Sequence, residues 1–484
     1  MTVRNLTALA PLIIVSATAL AVMMAAALRR NHAAAALMTL GGIAAAFASL
    51  RAAAVLRPLA IGSSEAGQLL VIDGYGLFFM GLILLGSAAV VVLAHGYLER
   101  QAEHREEFYI LLLVAVLGSM TLAASSHFVS FFLGLEILSV ALYAMNAYLR
   151  GRAISLEAGI KYLVLAAASA TFLLFGMALL YAEFGTMSFD YLAGQMTAGI
   201  YPNRAMVTGG IALMVTGFGF KLALAPFHLW TPDIYEGAPA PVTAFVATVS
   251  KGAMFALLLR YFYSTGAYRL HSVFVVLAII AAASMLAGNL GALLQNNLKR
   301  ILAYSSIAHM GYVLVAFLAA GDLGAEAVTF YLIAYFITTL AAFGVVTALS
   351  PADRDAGRLG DFEGLIWKRP ALGGVLTLAL FSLAGIPATA GFFAKFYVVA
   401  AGADSGIWRL IILLVLTSVV GLFYYLRVLV AVFSRPLESR ELAPQVPFAS
   451  AFVLAGLSAL LVWVGVFPGT ILRAVKAAVG SLRY

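Results

Sequence analysis

There is no cysteine among the 484 residues. Disulfides, thiolate-bound iron–sulfur clusters and covalently attached haem are therefore excluded. Histidine is scarce too: seven residues, with no HxxH or HExxH spacing, so the helical metal motifs are missing. Haem held by two His from separate spans stays open, but the sequence offers no obvious electron carrier. Charge is the third shortage. Asp, Glu, Lys and Arg make up 10% of the chain against 63% apolar residues, too little to cover a soluble protein of this length. Short segments of alternating polarity are lacking, which argues against a transmembrane β-barrel. No small-residue cleavage site follows the first apolar run, Leu6 to Leu28, so it reads as a span and not as a signal peptide.

What the chain has in quantity is apolar runs of about 20 residues, the helical length that crosses a hydrocarbon core. Breaks at charge, Pro and Gly give about fourteen: 6–28, 33–56, 69–95, 107–124, 127–148, 155–182, 205–226, 241–262, 271–293, 298–319, 326–349, 371–400, 407–433 and 448–467. The fold class is an all-α polytopic membrane protein. A basic tail, "GTILRAVKAAVGSLRY", is expected along the interface or against a partner. The net charge of +8 does not call for nucleic acid, because the cations fall mostly in short loops. One set of alternate loops holds fourteen of them, from Arg29 to Arg435 and Arg440. The opposite set holds five: Arg4, Arg57, Arg204, Arg269 and Arg409. The positive-inside rule then places both termini outside the cytoplasm.

A few charges remain inside spans. Arg51, Arg260 and Arg427 each sit within about two turns of a span end and are expected to snorkel to the interface. Lys251 has about ten residues, roughly 15 Å of helix, on either side, beyond the reach of its side chain. Glu136, in "FFLGLEILSV", is also near mid-span. A charge left in lipid costs from about 3 to above 10 kcal/mol, so such groups must face inward, pair, be wetted or neutralise. Desolvation favours the neutral form of an ionisable group and a nearby opposite charge favours the charged form. Moving a partner therefore switches a buried ammonium between holding and releasing a proton. One acid and four lysines, Glu136 with Lys161, Lys221, Lys251 and Lys395, suit a proton relay better than a structural ion pair.

Two spans are interrupted beside such a lysine. "GFGFKLALAPFHLWTPD" carries Lys221 and Pro226, and "SLAGIPATAGFFAK" carries Pro387 and Lys395. Non-helical backbone is tolerated at membrane depth only where it lines a cavity or is buried in protein, and paired interrupted helices point to a transporter built from repeats. Glu136 and Lys221 lie 85 residues apart, His309 and Lys395 lie 86 apart. Each interval runs from the second to the fourth helix of a five-helix unit, spans 4–8 and 9–13. An odd number of spans makes the two copies inverted. His309 takes the place of the acid in the second copy, and its unperturbed titration near neutrality suits a relay. Asp73 is expected either to cap the third span or to contact a neighbouring subunit. Tyr424 and Tyr425 read as packing, His228 as a solvated loop residue, and "PADRDAGRLGDFEGL" as an ordinary cytoplasmic loop.

The strings "LGLEILSVALYAM", "GFGFKLALAPFHLWTPDIYEGAPAPVTAF", "NLKRILAYSSIAHMGYVLVA" and "SLAGIPATAGFFAKFYV" resemble the antiporter-like membrane subunits of the bacterial proton-pumping NADH:quinone oxidoreductase (complex I). The resemblance covers nearly the whole chain. It implies fourteen helices: three N-terminal ones (1–106), two inverted five-helix repeats (107–262 and 263–433), and a last helix with its tail (434–484). It implies that Glu136 pairs with Lys221, that Lys251 continues the relay, that Lys395 releases protons outward, and that Lys161 and His309 are auxiliary positions. It implies no cofactor in this chain. NADH, FMN, iron–sulfur clusters and quinone would belong to partner subunits, among them homologous antiporter-like subunits and small helical ones, in the bacterial cytoplasmic membrane. A subunit of a multi-subunit cation/proton antiporter shares most of these strings and is the alternative.

Overall fold

The computed structural model describes residues 3–56, 59–63, 67–101, 104–199, 202–435 and 445–482. Arg57 and Arg440, both counted for orientation, and the last two residues of the tail lie outside the described residues. Among the described residues, thirteen helices are long and apolar enough to cross a membrane. They are α1 (Val3–Leu28), α2 (His32–Val55), α3 (Gly74–Gln101), α4 (Glu106–Ala124), α5 (Phe128–Asn146), α6 (Ala153–Phe184) and α8 (Arg204–Leu222), then α10 (Ala240–Thr265), α11 (His271–Leu293), α12 (Leu298–Ala319), α13 (Gly321–Leu349), α16 (Trp408–Phe433) and α17 (Phe448–Val466). The fourteenth expected span is two half-helices, α14 (Pro370–Ala384) and α15 (Ala390–Asp404). Shorter helices include α7 (Phe189–Ala198), α9 (Trp230–Gly237) and α18 (Gly469–Val479).

The helices are not equally enclosed. The most apolar window of α10 is entirely buried, and those of α12 and α13 are 94% buried, against 28% for α1 and α2. The helices with the most crowded surroundings are thus the ones that carry Lys251 and His309, which lets protein groups and not lipid surround those side chains. Inside α10, Val246–Ser250 form a π-turn immediately before Lys251. Such single-turn bulges concentrate at functional positions in helices.

One local departure from the all-α expectation has a clear cause. β1 (Leu59–Ser63) and β2 (Gly67–Ile72) form an antiparallel hairpin with a register slip between Ile61 and Gly62. It packs on the α4–α5 turn, where Ser126 N and Ser130 Oγ donate to the Leu69 carbonyl. The apolar run "QLLVI" continues into α3, and composition alone does not separate a short buried strand from a helix. The boundary is set by Asp73, whose Oδ1 accepts from Gly76 N at 2.7 Å, as the capping expectation required. The tail helix α18 buries Val475, Ala478 and Val479 and packs on α13 and α3 of its own chain, with Lys476 4.0 Å from Glu326.

Arg260 does not snorkel. It is 5% exposed, and its guanidinium forks onto Asp73, Nη1 to Oδ2 at 2.7 Å and Nη2 to Oδ1 at 2.8 Å. A carboxylate brought next to it from a helix start 187 residues earlier in the chain removes the need to reach water.

The loop after α13 is no ordinary loop either. Asp355 accepts from Tyr97 Oη at 2.6 Å, Lys299 Nζ at 2.7 Å and Arg152 Nη1 at 3.1 Å. Lys299, whose side chain is 1% exposed, also donates to the carbonyls of Glu236 and Ala238. One carboxylate thereby ties α3, the start of α6, the α9–α10 joint and the start of α12. Burial opposes its ionisation, but Lys299, Tyr97 and Arg152 hold its carboxyl below the usual carboxylate range. A carboxyl with a lowered folded-state pKa stabilises fully above its unfolded value. That contribution is lost as pH falls through the folded one. Asp355→Asn should therefore flatten the acid-side loss of thermal stability in the solubilised protein. At neutral pH it should cost about 3–5 kcal/mol, because it leaves the buried Lys299 ammonium without its counter-ion. An unchanged thermal midpoint at both pH values would show that the clamp carries no stability.

Candidate proton path

The first site is built at a helix end. α8 stops at Leu222, and Ala223 takes a left-handed conformation (φ 61°) from which Ala223 N and Leu224 N return to the carbonyls of Phe220 and Gly219. Lys221 lies in this last turn, where the partial negative charge of a helix C-terminus favours a cation. It is 5% exposed. Its Nζ donates to Ser139 Oγ at 2.6 Å and lies over the Tyr162 ring, 5.3 Å from the centroid. Glu136 is three residues before Ser139 on α5, so the two share a face. One of its oxygens, Oε1, is buried without a hydrogen-bond partner. The direct Glu136–Lys221 pair expected from the sequence is thus not formed. The ammonium is held by the neighbouring hydroxyl, and the carboxylate waits one turn away. Pro226 follows on an exposed stretch and His228 is half-buried, while Ala225 N donates to Ser284 Oγ at 2.8 Å.

The second site is central. Lys251, 1% exposed, donates to Ser306 Oγ at 2.6 Å, and Tyr335 Oη donates to the same oxygen at 2.7 Å. Ser306 lies three residues before His309 on α12. His309, 4% exposed, shares hydrogen bonds with Tyr331 Oη through Nδ1 (2.8 Å) and with Tyr425 Oη through Nε2 (3.2 Å). Tyr425 in turn bonds Ser305 Oγ at 2.5 Å. The residue read as packing is a direct partner of the histidine.

The third site surrounds the second helix break. α14 ends at Gly385 (φ 85°), and Lys395 on α15 donates to the carbonyls of that end, Leu383 and Ala384, both at 2.9 Å. Its third bond goes to Ser418 Oγ at 2.8 Å. The interruption therefore supplies acceptors to the ammonium. A small cavity of about 10 Å³ is lined by His309, Tyr335, Thr338, Ser382, Leu383 and Gly391, among others. It adjoins both the histidine cluster and the residue whose carbonyl holds Lys395.

Lys161 stands apart from this axis. Its side chain is 41% exposed and pairs with Glu157 at 2.6 Å and Asp233 at 2.7 Å. Asp233 and Glu236 also bind Arg300. Lys161 lies two turns into α6, and two acids lie close enough to meet it there. Sequence reasoning missed Ser139, Ser306, Tyr331, Tyr335 and Ser418. Only the pair Tyr331 and Tyr335, four apart on one helical face, left a signal.

A family model described as NADH:quinone oxidoreductase/Mrp antiporter, TM, matches residues 125–421, from the start of α5 into α16. The chain is 45% identical to NADH-quinone oxidoreductase subunit N of Methylococcus capsulatus, over 98% of this chain and 95% of that one. It is 47% identical to the subunit of that name from Ectopseudomonas mendocina, over 99% and 97%. The chain belongs to the antiporter-like membrane-subunit family of NADH:quinone oxidoreductase, in its subunit N branch. Among solved structures it is similar to a chain of respiratory complex I from Thermus thermophilus with bound Aureothin, at 37% identity and a TM-score of 0.81, covering 96% of this chain and 99% of that one. A chain of the Mrp complex from Dietzia sp. is 20% identical with a TM-score of 0.86, covering 100% and 98%. At that identity only the fold is shared.

Proposed function

We propose that this chain is the proton-translocating, antiporter-like membrane subunit of a bacterial NADH:quinone oxidoreductase, driven by redox chemistry in other subunits. The observation that carries the reading is the run of enclosed, hydroxyl-bridged basic groups, Lys251 on Ser306, Ser306 on Tyr335, and His309 between Tyr331 and Tyr425. It leads by a shared cavity toward Lys395. Each hydroxyl can accept one proton and donate another.

In this reading Lys221 switches between Ser139 and Glu136. On Glu136 the ammonium keeps its proton; on the neutral hydroxyl it gives the proton up more readily. The proton passes inward to Lys251, through Ser306 and Tyr335 to His309, and across to Lys395 for outward release. Lys161, with Glu157 and Asp233, supplies charge near the cytoplasmic start of the route. The breaks at Pro226 and Pro387 belong to the fourth members of two inverted five-helix repeats, 107–262 and 263–433. These stand between the three helices of 1–106 and the closing segment 434–484. The chain itself carries no redox group. NADH, FMN, iron–sulfur clusters and quinone belong to partner subunits, and homologous antiporter-like and small helical subunits adjoin it in the cytoplasmic membrane, with both termini outside the cytoplasm.

The assembly that copurifies with a tag on this chain tests the reading. It should show NADH-bleachable flavin and iron–sulfur absorption, and in vesicles it should acidify the lumen on NADH addition. A complex without those chromophores that exchanges cations for protons would replace this proposal with the antiporter.

A further inference from the structure

Away from the relay, the cytoplasmic ends of two helices, α2 and α3, bring two imidazoles and a carboxylate together. His32 is the first residue of α2, capped by Asn31. His95 and Glu99 lie one turn apart near the end of α3. Each offers one ligand atom, and these atoms all lie within 4.8 Å of one another. We propose that His32, His95 and Glu99 form a binding site for a borderline divalent transition cation such as Zn²⁺.

Several observations point the same way. His32 Nδ1 is buried and has no hydrogen-bond partner, which is costly for a polar atom unless something is supplied to it. Its other nitrogen, Nε2, is 2.8 Å from Tyr109 Oη on α4. If that nitrogen carries the proton and Tyr109 accepts, Nδ1 is left with its lone pair, the form a metal requires. The same phenolic oxygen lies 3.4 Å from His95 Nδ1, so one tyrosine orients both rings and leaves His95 Nε2 free. Ligating histidines are commonly fixed in this way through the nitrogen that does not bind the ion. Glu99 forms no ion pair through its carboxylate among the described residues; nearby Arg105 donates to its backbone carbonyl instead. The site also lies at the C-terminal end of α3, where a cation is favoured.

The two rings are stacked, with centroids 4.1 Å apart and planes 26° from parallel. A tetrahedral ion with bonds of about 2.0–2.1 Å needs ligand atoms roughly 3.3 Å apart. Tilting the rings by a change of torsion, with the exposed Glu99 swinging in, closes the difference. Two imidazoles and one carboxylate with an open fourth position form a zinc-type donor set, and imidazole selects against Mg²⁺ and Ca²⁺. A bound ion would pin the start of α2 and the end of α3 to α4, where the N-terminal helices meet the rest of the chain.

The test uses the whole purified complex, stripped with chelator and titrated with Zn²⁺, with Mg²⁺ as the control. Wild-type complex should retain one more zinc per complex after gel filtration than Glu99→Gln or His95→Ala complexes. Tyr109→Phe should keep that extra equivalent but weaken it about 10–100-fold. X-ray absorption of the extra equivalent should show imidazole scattering. Should His95→Ala fail to assemble, Glu99→Gln decides alone, since its side chain is exposed and its metal-free NADH:quinone activity should be unchanged. Equal zinc content in wild-type and Glu99→Gln complexes, or an extra equivalent without imidazole scattering, overturns the site.

Discussion

Complexes carrying Lys221→Ala should assemble yet lose this chain's entire share of proton transfer, read as fewer protons taken up per NADH oxidised in sealed vesicles. The side chain is enclosed, its ammonium rests on Ser139 Oγ, and Glu136 holds a buried oxygen without a partner one turn away. Alanine removes the group that moves between them. Lys221→Arg separates charge from proton exchange, because a guanidinium stays protonated at any pH a protein survives. It should therefore stall pumping almost as fully as alanine while preserving a cation. Ser139→Ala removes only one of the two resting places. It should shift Lys221 toward Glu136 and slow transfer without abolishing it. Normal proton yield in Lys221→Ala complexes would reduce the buried charges to assembly contacts.

Gly391→Ala should do comparable damage by a different physical route. A Cβ on Gly391 would sit 1.8 Å from the Ser382 carbonyl oxygen and 2.9 Å from Ser382 Oγ. The nearest obstacle is backbone, so no rotamer change relieves it, and α15 must move off α14. Overpacking commonly costs about 1–3 kcal/mol, and a backbone clash this close belongs at or above the upper end. The same shift would draw Lys395 off the carbonyls of Leu383 and Ala384, so outward release should fall together with the thermal midpoint. Gly374→Ala on α14 is the control, since a Cβ there meets nothing within 4 Å. Equal behaviour of the two variants would show that the close approach of the half-helices does not matter.

The spans were legible because hydrocarbon thickness imposes one length on every crossing, and hydropathy records it. The two interruptions were legible because Pro and Gly stand beside lysines where lipid would tolerate neither. The contacts that give those lysines their partners were not. Ser139, Ser306 and Ser418 are small hydroxyl residues within largely apolar spans, and a serine that bonds an ammonium looks the same in sequence as one that bonds its own helix. Arg260 looked like a snorkelling residue because its partner, Asp73, comes from a distant helix start. Lys161 reads as a charge inside a span because its partner Asp233 comes from the α8–α10 connection and not from α6. The hairpin was hidden inside an apolar run that a helix continues. In each case the missing quantity was a long-range juxtaposition, which periodicity does not encode.

The π-turn at Val246–Ser250 has a consequence for the direction in which Lys251 points. Such a bulge amounts to one surplus residue, and each residue of a helix swings the next side chain through about 100°. The aim of Lys251 toward Ser306 is therefore fixed by a count of amino acids upstream of it, whatever their identities. A lineage could turn that ammonium toward another neighbouring helix by losing a single codon, with every neighbouring side chain chemically untouched.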